Sequence, residues 1–158
     1  MGRTIPSFRI AAVLEEKEWK QFRNSINNKN DRKVFSEMFS IARLYNSACS
    51  YSSFPIRKYP IMMSIVFDHY KTLTKNNMLS TAPNDHIGDN NYNSIILQKE
   101  LDKWKTYSDI LRKPNRDLFN QMLQSSYKYS NAIDAKGENY ATESVLISLM
   151  FEQYKITK

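Results

Sequence analysis

A chain of 158 residues, 41 % apolar and 13 % aromatic, can bury one good core or two small ones packed together, and is too aromatic for a disordered tail. Its cationic excess lies wholly in residues 1–75, which hold 13 Lys/Arg against 6 Asp/Glu, while residues 76–158 hold 10 of each. No apolar run approaches the roughly 20 residues of a membrane span. There is no signal-peptide pattern, Pro6 spoils a myristoylation motif, and the single Cys49 excludes an internal disulfide, so the expected address is the cytoplasm.

Residues 1–9 read as a basic arm carrying Arg3 and Arg9, with Ser7 placed to cap the helix that follows. From Phe8 to Ile26 the chain has no Gly or Pro and is rich in helix formers. Trp19, Phe22 and Ile26 share one face, whereas Ile10, Val13 and Leu14 point nearly opposite. That phase change predicts a bend near Glu15–Glu18, or burial of the first half of the helix on another side by the second copy of the repeat that the chain carries. Asn30 or Asp31 can cap a second helix reaching about Ser50, with Phe35, Met38, Ala42, Tyr45 and Cys49 at helical spacing. After a loop at Tyr51–Tyr59, Pro60 suits the first residue of a third helix that is apolar on most sides and continues to Leu73. Residues 76–93, rich in Asn and Asp with Pro83 and Gly88, form the predicted linker. Leu97, Leu101, Trp104, Tyr107 and Leu111 begin a second set of three helices, whose later members are expected to be capped by Asn115 and Thr142. No period-2 alternation occurs, so the fold class is all-α.

The second set repeats the first. Displaced by 84 residues, Asp31–Thr74 falls on Asn115–Lys158 with nine identities, among them Arg32/Arg116, Phe35/Phe119, Tyr45/Tyr129, Phe67/Phe151 and Lys71/Lys155. One further residue of offset lays Trp19 on Trp104. The expected organisation is a first three-helix unit at 1–75, a linker at 76–93 and a second unit at 94–158. A unit of this size buries its core poorly alone, so the two are expected to pack as a pseudo-two-fold bundle, a pseudo-dimer within one monomer. The third helices and the inner half of the first helix are expected at the join.

Catalytic and metal motifs are absent from the sequence. His69 and its neighbour Asp68 diverge by about 100° on a helix, and its counterpart is Gln153; His86, with Asp85 and Asp89, makes too sparse a ligand set. Cys49 has the apolar counterpart Ile133, which reads as core rather than nucleophile. Three unpatterned glycines exclude a P-loop or dinucleotide fingerprint. The aromatic and Met positions recur on one stripe and read as core. No cofactor and no metal are implied.

The surface signal is basic: Arg3, Arg9, Lys17, Lys20, Lys29, Arg32, Lys33 and Arg43 form the candidate partner or phosphate contacts. Glu15, Glu16 and Glu18 interrupt the patch, which favours a protein partner over nucleic acid.

Met1, Gly2, Arg3, Thr4, Pro6 and Arg9, followed by Trp19, Phe22-Arg23, Phe35, Met38, Ala42-Arg43, Ala48 and Met63-Ser64, resemble short uncharacterised archaeal proteins that open Met-Gly-Arg-Thr-x-Pro. The resemblance covers about residues 1–75. It implies no activity, and it implies that the first unit is the active one, since Tyr127 stands where the second would need Arg43. The expectation is a non-enzymatic accessory or adaptor protein that binds a macromolecule through its first unit. The alternatives are a nucleic-acid binder gripping phosphates and an enzyme with dispersed site residues at the join.

Overall fold

Strong helix formers from Phe8 onward give helix that is interrupted at a single residue, Trp19. The computed structural model describes residues 7–52, 54–76, 78 and 94–158, and these are helical with no strand among them. In the first half α1 is Phe8–Glu18, α2 Lys20–Ser25, α3 Lys29–Leu44, α4 Asn46–Tyr51 and α5 Lys58–Lys75. The second half follows the same order: α6 Ile95–Lys103, α7 Lys105–Ile110, α8 Lys113–Gln124, α9 Ser130–Lys136 and α10 Ala141–Ile156. Short 3-10 turns, Ser125–Tyr129 and Glu138–Tyr140, precede the last two. The molecule is an all-α helical bundle. Apart from residues 76 and 78, the expected linker lies outside the described residues, as do Arg3 and His86.

Several helix starts differ from expectation. Ser7 stands at the head of α1, but only its backbone carbonyl is used, accepting from the Ala11 amide at 3.0 Å. Asn28, not Asn30 or Asp31, caps α3, its Oδ1 accepting from the Asn30 amide at 2.8 Å. Pro60 lies in the first turn of α5, which already starts at Lys58. Neither Asn115 nor Thr142 is a cap, because α8 and α10 begin at Lys113 and Ala141. The best cap of the second half is Ser94, whose Oγ accepts from the Leu97 amide at 3.0 Å. The first helix breaks at Trp19 (φ −84°, ψ 3°) rather than bending earlier, and Ile10, Val13 and Leu14 stay exposed.

Local geometry recurs between the halves. Trp104 (φ −79°, ψ −8°) interrupts its helix as Trp19 does. Tyr45 (φ −110°, ψ 20°) and Tyr129 (φ −114°, ψ 14°) both end one helical segment and start another. The Tyr45 hydroxyl donates to Asp68 at 3.0 Å, and Lys71 donates to the Tyr45 oxygen at 3.1 Å, its ammonium 5.6 Å from the ring centroid. At the equivalent positions the Tyr129 hydroxyl donates to Glu152, and Lys155 lies 2.8 Å from that carboxylate and 5.4 Å from the ring centroid. The Arg32 and Arg116 side chains each donate to the backbone of the turn before their helix, to Ile26 at 2.6 Å and Leu111 at 3.2 Å.

The Glu152 clasp predicts a pH effect. Burial alone would raise this carboxyl, but donors from Lys128, Lys155 and Tyr129 outweigh it and hold the pKa at about 2. A carboxyl depressed in the folded state adds stability above its unfolded value, about 4.3, and loses that stability as pH falls towards 2. Both lysines are about half exposed, so screening trims the effect. Glu152→Gln is expected to cost about 1 kcal/mol at pH 7. Urea titrations from pH 5 to 2 should show the wild type losing that margin and the variant keeping a flatter profile.

The core sits at the join. Phe67 on α5 meets Phe119 on α8 edge-on at 5.1 Å, Tyr107 on α7 stacks on Phe119 at 5.0 Å, and Phe54 lies 4.1 Å from Trp104. Ser64 Oγ is 2.8 Å from Tyr107 Oη and 3.2 Å from Cys49 Sγ. Burial pushes the Cys49 thiol up to about 11, which suits a core residue and not a nucleophile. Complete burial of rings this size stabilises by about 1.5–3 kcal/mol each.

The third helices meet as expected. The Tyr59 hydroxyl donates to Glu143, and ten residues on His69 Nδ1 is 2.6 Å from Gln153 Oε1. Both pairs join positions 84 residues apart, so α5 and α10 run parallel and in register. His69 is therefore a satisfied histidine, bonded to its own counterpart. The rest of the join departs from a pseudo-two-fold. A dyad requires every contact to be returned, yet α4 packs on α7 and α5 on α8 with no comparable packing of α9 on α2 or α10 on α3 among the described residues. Among the described residues the first helix makes no comparable packing with the second half either; α1 packs on α3, α4 and α5 of its own half. The join is one-way.

Candidate functional site

A one-way join covers one face of each half and leaves the matching face of the other half open. On the second half, α7 and α8 bring Trp104, Tyr107, Phe119 and Met122 to the join, all at 0 % exposure. Of their counterparts, Trp19 is 41 % and Phe22 56 % exposed, and on α3 Val34 is 54 % exposed beside them. Phe35, Met38 and Phe39 are half-buried beside them. The rings nonetheless pack together, with Trp19 5.8 Å from Phe22, Phe22 5.3 Å from Phe35, and Phe35 5.2 Å from Phe39. Trp19 Nε1 donates to Glu15 at 3.3 Å, which fixes the indole against the end of α1. Contiguous aromatic surface of this kind is costly in water unless something covers it.

The sequence-predicted cations fall into three groups around this face. Arg32 lies one turn before Phe35, and Lys29 and Lys33 share its first turns, with Lys20 nearby in sequence on α2. Arg32 is already engaged with the Ile26 carbonyl, and Lys33 makes an exposed pair with Glu37 at 3.7 Å. Arg43 stands near the far end of α3, paired with Glu16 at 3.1 Å. Arg9 and Lys17 are exposed on α1. Arg23, which was not among the predicted contacts, reaches from α2 to Ser36 on α3 at 3.4 Å and borders the aromatic face. Lys29, Arg32 and Lys33 thus share the first turns of α3 ahead of Phe35, Lys20 follows Trp19 at the start of α2, and Arg43 is held by Glu16.

Sequence reasoning assigned Phe35 and Met38 to the core and did not separate them from Phe119 and Met122. The available signal was logical rather than chemical. Two equivalent faces and a single join cannot both be covered unless the packing is reciprocal.

A groove of about 400 Å³ opens at the join between α4, the Lys71 turn of α5 and residues 110–115. Its polar lining is Tyr45, Ser47, Lys71, Arg112 and Asn115, with no carboxylate, histidine or cysteine among the described residues that line it. Burial, followed by Asp68, pushes the Tyr45 phenol well above its ordinary value, so it is a neutral donor there. Among the described residues no cluster of His, Cys, Asp and Glu could hold a metal ion, and no helix is long and apolar enough to cross a membrane.

Neither the curated proteins nor the solved structures contain a match. One family model matches residues 1–94, which include the whole exposed aromatic face and its cations. The chain belongs to the family described as a domain of unknown function, DUF8156.

Proposed function

We propose that this protein is a non-enzymatic cytoplasmic adaptor that binds a protein partner through the aromatic face of its first half. The observation that carries this reading is the exposure of Trp19 and Phe22 where their counterparts Trp104 and Tyr107 are covered. Packed aromatic residues with neighbouring arginines are what the centres of protein interfaces are made of. The cations at the margin set the orientation in which the partner docks. We also infer that the two halves descend from one doubled unit, which the recurring Trp breaks and Tyr–carboxylate–Lys clasps support.

The experiment is affinity capture of the full chain from nuclease-treated native lysate, run beside a gel shift with mixed nucleic acid at two salt concentrations. The expected result is a protein retained after nuclease, lost with Phe22→Asp and only weakened by Lys20→Glu with Lys33→Glu. A gel shift that weakens steeply with salt and ignores Phe22→Asp would move the function to phosphate binding.

A further inference from the structure

The second half carries its own uncovered face, on α10. Ile147 is 66 % exposed, Met150 50 %, Phe151 50 % and Tyr154 56 %. The positions 84 residues earlier on α5 are Met63, Val66, Phe67 and Tyr70, all buried. Those four belong to the wall that receives α7 and α8, with Phe67 against Phe119. Among the described residues no helix of the other half covers the α10 face, where Tyr129 and Lys155 touch Phe151 and Lys158 lies over Tyr154. Its large apolar groups are kept, Phe and Tyr identical, Met and Val exchanged for Ile and Met.

The chain thus has two unfilled halves of one interface that it has already made once. The open wall is on α10, and the open insert is the Trp19–Phe22–Phe35 face. They lie on opposite partners of the repeat, so they cannot meet through the junction already used. An interface of this one-way type repeats from unit to unit, closing into a ring or growing into a filament.

We infer that the partner of the first-half aromatic face is a second copy of this chain, docked head-to-tail through its α10. This rests on the reading of that face as a docking surface and names its occupant. By transposition of the α5–α8 contact, Phe151 of one copy meets Phe35 of the next. The acidic groups near α10 are already engaged: Glu152 is held by Lys128, Lys155 and Tyr129, and Glu143 by Tyr59. The new contact is apolar at its centre, and salt changes it little.

The test uses full-length chains in sedimentation equilibrium from low to high micromolar concentration. Wild type is expected to gain mass beyond a dimer as concentration rises. Phe22→Asp and Phe151→Asp, both at exposed positions, should each weaken association by about thirtyfold. The mixture is decisive. The Phe22→Asp chain keeps its α10 face and the Phe151→Asp chain keeps its aromatic face, so together they should form a 1:1 dimer that grows no further. A wild type that stays monomeric throughout overturns the inference, whether another protein or residues 79–93 of the same chain take the place. So does a mixture no heavier than its components, or a single variant that dimerises with itself as wild type does. If Phe22→Asp abolishes capture of a different protein while the wild type stays monomeric, the docking surface survives and only its occupant is wrong. If neither capture nor mass depends on Phe22, both readings fall.

Discussion

Trp104→Ala and Phe119→Ala should each remove about 3–5 kcal/mol from the stability of the chain, while Trp19→Ala and Phe35→Ala remove under about 1.5 kcal/mol. Each comparison holds residue type and local helix constant and changes only what lies across from the side chain. Trp104 and Phe119 are fully covered, with Phe54, Phe67 and Tyr107 against them, so truncation leaves a cavity in rigid surroundings. Trp19→Ala loses ring contacts with Phe22 and Phe39 and a bond to Glu15, and water fills the space. Urea unfolding at low micromolar concentration, where copies are apart, measures all four. Equal losses within each pair would mean that the two faces are covered alike.

Residues 94–158 expressed alone should show no cooperative unfolding transition. Removal of α4 and α5 uncovers Trp104, Tyr107, Phe119 and Met122 together, all fully buried in the whole chain. A unit of about 65 residues has too little core to bear that loss. Residues 1–78 supplied as a separate chain return Phe54, Met63 and Phe67 to those rings, and an equimolar mixture is expected to regain a heat-absorption peak. A sharp transition from 94–158 alone would show that each half stands without the other.

The helices were legible because Phe35, Met38, Ala42, Tyr45 and Cys49 fall at helical spacing, and so do Leu97, Leu101, Trp104, Tyr107 and Leu111. Their starts were less legible. Asn30, Asp31, Asn115 and Thr142 are all capable caps, and the choice among them depends on backbone angles that composition does not encode. The exposed face was not legible at all. Phe22 and Tyr107 occupy the same helical phase, and only the packing of α4 on α7 without its reciprocal separates them. Coverage of a stripe is decided by distant chain, so periodicity identifies the stripe and says nothing of its neighbour. The basic residues were visible, but Arg32 proved to be tied to the Ile26 carbonyl and Arg43 to Glu16.

The bonds of Tyr59 to Glu143 and His69 to Gln153 pin the central pair of helices at two points ten residues apart. A slide of α10 along α5 by one turn, about 5.4 Å, would part both at once. Gln153 also donates to the Val66 carbonyl at 3.1 Å, so its amide is clamped from two directions. Translation between the halves is thereby blocked. A motion that spares both bonds is a hinge about this axis, and opening it between α4 and α7 would wet Tyr107.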